Sequence, residues 1–367
     1  MNDTLVYKIA FASIRGMGID LARKFLEVIP NEKDFFDISE KELRELTCSK
    51  ARMCDYDYRH GVLEKAKHEL EFVLNKNINV TYFTDTDYPQ RLLEASDAPL
   101  LLYCSGKCNL NAAHVISIVG TRHATPAGIK MCDDIVNTLS IKLDNIVVVS
   151  GLAYGIDIAA HRASLKHNVP TVAVMAQGLN KIYPSTHRND AISIIKQGGA
   201  ILTDYQSQDE IHKGNFLARN RIIAALSDCT VVVESADTGG ALVTASLAQS
   251  YNRDVFAVPG RTGDEFSKGC NRLIRDNRAM LITGADDIID AMRWQTKVST
   301  PVQKEIFPIL TADEKKIVDA LKTSENMHIN DLATKLQMPI YKLMGALVEL
   351  DCRGFIVTLP GCRYAIR

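Results

Sequence analysis

This chain of 367 residues has no excess of charge, no long apolar run and no paired cysteines. Its formal net charge is −1, with 43 lysines and arginines against 44 aspartates and glutamates. That excludes a protein that coats nucleic acid by bulk attraction, so any anion site must be a local cluster of positive charge. Nine cysteines are scattered, and the closest pair, Cys104 and Cys108, has no second pair at metal-ligand spacing, so no zinc site is expected. No stretch approaches the ~18 apolar residues of a membrane span. The opening MNDTLVYKIAF lacks a basic region followed by an apolar run and a small-residue cleavage site, and so does not read as a signal peptide. A cytoplasmic location with free thiols is the expectation. There is no internal repeat, no low-complexity tract and no complete G-x-G-x-x-G. Ser150 has no glycine two residues before it, so there is no nucleophile elbow, and no catalytic residue, metal or cofactor is assigned.

What is present is an ordinary globular composition, 46% hydrophobic and 24% charged, enough for a sizeable core in two or three domains. Apolar residues recur at helical spacing over 6–11, 19–28, 40–46 and 61–74. Between the first two segments, Ile14-Arg15-Gly16-Met17-Gly18 forms a tight glycine turn. It is either a plain helix connection or a hairpin that offers backbone N–H groups to phosphate. From residue 114 the texture changes to short apolar runs separated by helical stretches: 115–119, 146–149, 171–175, 200–202, 230–233, 255–258 and 280–282. Strands buried on both faces look like this, and the alternation predicts a doubly wound, mostly parallel Rossmann-like sheet. After Trp294 a polar, proline-containing stretch reads as a linker. Thr311 and Glu314 make a capping box, Pro339 opens a later helix, and Pro360-Gly361 turns a hairpin, the layout of a winged-helix domain. The expected organisation is a small helical domain over 1–80, the α/β domain over 81–293, a linker over 294–310 and the winged helix over 311–367.

In an open parallel sheet, ligands bind beyond the carboxyl ends of the strands. Those positions hold Gly120-Thr121-Arg122, Ser150-Gly151, Lys181 and Tyr183, Glu234, and Gly239-Gly240. Glycine and hydroxyl residues that open helices there leave outward N–H groups suited to phosphate. Basic side chains accompany them: Arg122, Lys181, Arg219, Arg221, Lys268 and Arg272. Arg219 is expected near the start of a helix, where a cation opposes the dipole and suggests an anionic partner, although a surface salt bridge would also place it there. Asp157 and His161, one turn apart, are either an acid–base pair or a helix cap beside a packed histidine.

Taken together these residues resemble the DprA (Smf) family. Ile118-Val119-Gly120-Thr121-Arg122 is similar to its V-G-[ST]-R motif, and Ser150-Gly151-Leu152-Ala153-Tyr154-Gly155-Ile156-Asp157 to its S-G-x-A-x-G-I-D segment. Gly178 to Pro184, Arg219-Asn220-Arg221, Val258-Pro259-Gly260 and Ser267 to Asn271 continue the match in order, over roughly residues 80 to 290. The chain departs from the family at Asn180, Leu217 and Gly240-Ala241, where aspartate, proline and Gly-Ser are usual. The resemblance implies a non-catalytic protein that binds and protects single-stranded DNA and loads the RecA recombinase onto it during natural transformation. It also implies a homodimer, and a helical domain of SAM or helix-hairpin-helix type in front of the sheet. The DNA-binding set it implies is Gly120, Thr121, Arg122, Ser150, Gly151, Lys181, Tyr183, Arg219, Asn220, Arg221, Gly239, Gly240 and Lys268.

Two other readings compete. A nucleotide-hydrolysing, phosphoribohydrolase-like enzyme would need a carboxylate beside the glycine loop, and residues 241–252 contain none. Alternatively the winged helix is the principal DNA reader, but its third helix offers only Lys342 as a cation beside Glu349 and Asp351.

Overall fold

The computed structural model describes residues 2–47, 51–297, 310–324 and 326–366. They fall into two compact units, residues 1–297 and 298–367. Most of the expected linker, 298–309, lies outside the described residues.

The first unit opens with helices α1 (Asn2–Ala12), α2 (Ile19–Val28), α3 (Glu32–Asp37), α4 (Glu40–Thr47) and α5 (Tyr56–Asn75). Their apolar faces close on Phe11, Phe25, Phe35 and Phe36, which meet edge to face with centroids 5.1 to 6.4 Å apart. The sequence pattern did not signal α3, which the Asn31 side chain caps by accepting the Asp34 N–H at 2.9 Å. These helices are tied to the sheet. Glu69 of α5 accepts the Ser207 N–H at 2.9 Å, and Ser13 accepts from Gln206 at 2.6 Å. The glycine turn between α1 and α2 lines a hollow with Lys65 and Arg221, but Asp97, Asp204 and Asp209 line it too. Three carboxylates repel phosphate, which favours the plain connection over the phosphate-binding hairpin.

Then follow β1 (Asn79–Tyr82), α6 (Gln90–Leu93), β2 (Leu101–Gly106), β3 (His114–Val119), α7 (Pro126–Lys142), β4 (Ile146–Ser150) and α8 (Ile156–Lys166). Next come β5 (Thr171–Val174), α9 (Arg188–Lys196), β6 (Ala200–Thr203), α10 (Lys213–Leu226), β7 (Cys229–Val232) and α11 (Gly240–Ser250). The unit ends with β8 (Asp254–Ala257), α12 (Lys268–Arg275), β9 (Met280–Leu281) and α13 (Ala285–Met292). All seven apolar runs are strands, and the sheet order is β1-β2-β6-β5-β4-β3-β7-β8-β9. From β6 to β9 every pairing is parallel, while β1 and β2 add an antiparallel edge. Strands β4 to β6 lie on one side of β3 and β7 to β9 on the other, so the order reverses between β3 and β7. That reversal opens the crevice at the strands' carboxyl ends.

The second unit holds α14 (Ala312–Leu321), β10 (Met327–His328), α15 (Ile329–Leu336), α16 (Ile340–Cys352), β11 (Ile356–Leu359) and β12 (Arg363–Ile366). Thr311 and Glu314 form the expected capping box, and the three strands pair in the order β10-β12-β11. It is a winged helix.

Candidate functional site

At the reversal point a cleft of about 590 Å³ opens above β3 and β7. Its floor is the N-terminus of α11, where Gly239 and Gly240 line the cleft and the first-turn N–H groups have no side-chain cap. Asn220 donates to the Gly240 carbonyl at 3.3 Å and fixes α10 against that turn. The β3–α7 loop makes one wall. Thr121 donates its N–H to the Glu234 carbonyl at 2.7 Å, and its own carbonyl accepts from Ile156 at 3.1 Å. Glu234 is occupied in the same loop, accepting the Thr125 N–H at 2.9 Å and the Thr125 hydroxyl. Its carboxylate therefore caps the start of α7 and does not face the cleft.

Two consecutive residues of this loop turn to opposite walls. The Arg122 guanidinium lies 5.8 Å from the Phe216 ring centroid, and Phe216 meets Tyr183 edge-on at 5.6 Å. His123 stacks on Phe266 with centroids 5.9 Å apart and planes at 25°. Lys213, exposed at the first position of α10, stands at the mouth. The cleft thus has two aromatic walls, two exposed cations and a helix N-terminus. Among its described lining residues Asp157 is the only carboxylate.

Asp157 and Arg219 are the buried part of that lining, both close to Gly151, where a Cβ would come within 2.6 Å of both Arg219 Nη2 and Asp157 Oδ2. Only glycine fits there. Arg219, 4% exposed, donates to the Gly151 carbonyl at 2.8 Å, to the Val174 carbonyl and to the Asn220 side chain at 3.3 Å. Burial lowers its pKa from the ordinary value, opposed by the facing Asp157. Burial raises the Asp157 carboxyl, opposed by Arg219 and by backbone N–H groups.

Of the residues singled out in the sequence, Gly120, Thr121, Arg122, Tyr183, Arg219, Asn220, Gly239 and Gly240 line this one cleft. Others do not. Ser150 points into the core and donates to the Ile118 carbonyl at 2.6 Å. Gly151 lies beneath the lining, against Arg219. Lys181 is exposed on the loop that carries Tyr183, and Lys268 begins α12 outside the lining. Arg221 faces the opposite way and pairs with Asp204, because residues two apart on a helix point in divergent directions. Arg272 pairs with Asp237 at 2.8 Å. The expected position of Arg219 near a helix start is also corrected. α10 begins at Lys213, so Arg219 sits mid-helix and its guanidinium is spent on carbonyls. Lys213, Phe216, His123 and Phe266 were missed; Lys213 alone carried a local signal, a cation at a helix start.

His161 is packed rather than catalytic. Thr171 donates its hydroxyl to Val148, so His161 Nδ1–H donates to Thr171 at 2.8 Å. Burial holds this imidazole down at about 3 from an ordinary 6.5. Below pH 6.5 the unfolded chain gains a proton that the folded chain refuses, so stability falls with pH from there toward 3. Between pH 7 and 5 the loss from this residue is about 2 kcal/mol. Urea unfolding of His161→Gln should show a pH dependence shallower by that amount; equal slopes would contradict the assignment.

Residues 79–293 match the model of the DNA recombination-mediator protein A family, and residues 305–362 that of the DprA winged helix domain. The chain belongs to the DprA/Smf family. Protein Smf of Escherichia coli is 32% identical over 289 residues, covering 75% of this chain and 74% of that one. The DNA processing protein DprA of Streptococcus pneumoniae is 37% identical over 205 residues, 56% of this chain and 71% of that one. The X-ray structure of the pneumococcal DprA superposes with a TM-score of 0.66 at 29% identity, covering 79% of this chain and 97% of that one. The Helicobacter pylori DNA processing protein A, described for its single-stranded DNA binding mode, gives 0.52 at 30% identity, covering 59% and 97%. No helix among the described residues of this DprA/Smf protein is long and apolar enough to cross a membrane.

Proposed function

We propose that this DprA/Smf protein binds single-stranded DNA irrespective of sequence in the cleft above β3 and β7, without catalysing a reaction. The observation that carries this is Arg122, exposed and set over Phe216 at the mouth of a cleft floored by the α11 N-terminus. Phosphates go to Arg122, Lys213 and the Gly239-Gly240 N–H groups, contacts that carry no base information. Bases stack on the Tyr183–Phe216 and His123–Phe266 walls, a sequence-tolerant mode open only to unpaired strands. The one carboxylate among the described lining residues, Asp157, is buried near the Arg219 guanidinium, and no exposed acid lines the cleft as glycosidic hydrolysis would need. The Helicobacter relative supports the ligand class, and family membership supports the further role, protection of the strand and its transfer to the RecA recombinase. A homodimer is part of the reading; edge strand β9 leaves Met280 and Leu281 exposed for it.

The placement is tested by truncation. A chain ending at Lys297 keeps the whole first unit. In fluorescence anisotropy it should bind a single-stranded oligonucleotide within about threefold of the full chain, a difference of under about 1 kcal/mol. Loss of nearly all binding would move the principal site to the winged helix.

A further inference from the structure

The winged-helix unit carries a surface that this function does not use. α16 turns Leu343, Leu347 and Leu350 into its own core, yet the opposite side is apolar as well. Ile340, Tyr341, Met344 and Val348 are all exposed, Tyr341 at 80% and Val348 at 61%. They recur at three- and four-residue spacing and form one continuous stripe, and a helix apolar on both sides is built to be covered on both. Gly345 lies in the stripe with open space where a Cβ would stand, so another helix can approach closely. Lys342 and Glu349, both exposed and seven residues apart, flank the stripe on the same side.

We propose that this face pairs with the same face of a second copy of the chain, α16 against α16, antiparallel about a two-fold axis near Gly345. The flanking charges select that arrangement. Antiparallel pairing brings the two charged flanks to one edge of the seam and sets Lys342 of each copy near Glu349 of the other, whereas a parallel two-fold puts the flanks on opposite edges, where they do not meet. Their partners within the chain, Asp313 at 2.6 Å from Lys342 and Arg353 at 3.9 Å from Glu349, form weak, solvent-screened surface ion pairs that can be exchanged. Nucleic acid is a poor occupant, because Lys342 is the one cation on α16 and it stands beside Glu349. A seam of four side chains falls below the roughly 1,200 Å² of a stable interface. The contact forms when copies are already held close, so covalent capture reads it better than hydrodynamic size.

In the full chain, with the exposed Cys352 and Cys362 changed to serine, Gly345→Cys should give a disulfide-linked dimer on mild oxidation. Lys316→Cys, exposed on α14, should not. Adding Lys342→Glu to the Gly345→Cys chain should cut the cross-linked yield several-fold, and adding Glu349→Lys to that chain should restore it. Cross-linking from position 345 no greater than from 316, or a charge swap that fails to restore it, would overturn the proposal.

Discussion

Replacing Arg219 by methionine is expected to lower the unfolding free energy by about 3–5 kcal/mol, the cost of breaking one side of a buried charge pair. The Gly151 and Val174 carbonyls lose their donor, and Asp157 is left buried without its facing cation. For a unit of this size that is a fall in melting temperature of about 5–8 °C by calorimetry. Arg219→Lys should recover little, since a single ammonium cannot reproduce the guanidinium fork that reaches two carbonyls and Asn220. A melting temperature unchanged within a degree or two, with weakened DNA binding instead, would return Arg219 to the phosphate-contacting role that its motif suggests.

Arg122 and Lys213 should behave in the opposite way. Both side chains are exposed, so Arg122→Ala and Lys213→Ala should leave the melting temperature unchanged. Each charge-assisted phosphate contact is worth about 1.5–3 kcal/mol, so each substitution should weaken single-strand binding by at least about tenfold and the pair by at least about a hundredfold. The slope of log affinity against log salt should shrink by about 0.7 per contact removed. Arg122→Lys separates charge from geometry: it keeps the cation but loses the planar face over Phe216, and should fall between wild type and alanine. Binding unchanged in the double variant, measured by anisotropy titration, would place the DNA elsewhere.

The parallel strands were legible because a strand buried on both faces must be apolar throughout, and residues 115–119 or 230–233 can hardly be anything else. β2 has an equally apolar start in Leu101-Leu102-Tyr103-Cys104, but it joins the sheet as an antiparallel addition with no helix crossover before it, so the βαβ rhythm gave no place for it. The cleft was legible at its backbone, since glycines at strand ends mark where the chain must approach closely. Its side chains were less so. Gly214 and Asn215 disguise the first turn of α10, which hid Phe216 and put Arg219 near the start of the helix rather than at its middle. His123 and Phe266 are 143 residues apart and meet only because β3 and β8 both end at this rim. Burial, too, decides between roles that sequence cannot separate: Arg122 and Arg219 read alike until one proves exposed and the other enclosed.

The most direct test of a cleft that holds phosphates on its floor and bases on its walls compares three fluorescent ligands of equal length over a range of salt: a single strand, the corresponding duplex, and an abasic single strand. The single strand should bind at least tenfold more tightly than the duplex, whose paired bases cannot reach the Tyr183–Phe216 and His123–Phe266 rings. The abasic strand should retain the salt dependence but lose the roughly 1–3 kcal/mol that each stacked base supplies. A duplex bound as tightly as the single strand, or an abasic strand bound as well as the natural one, would contradict the account.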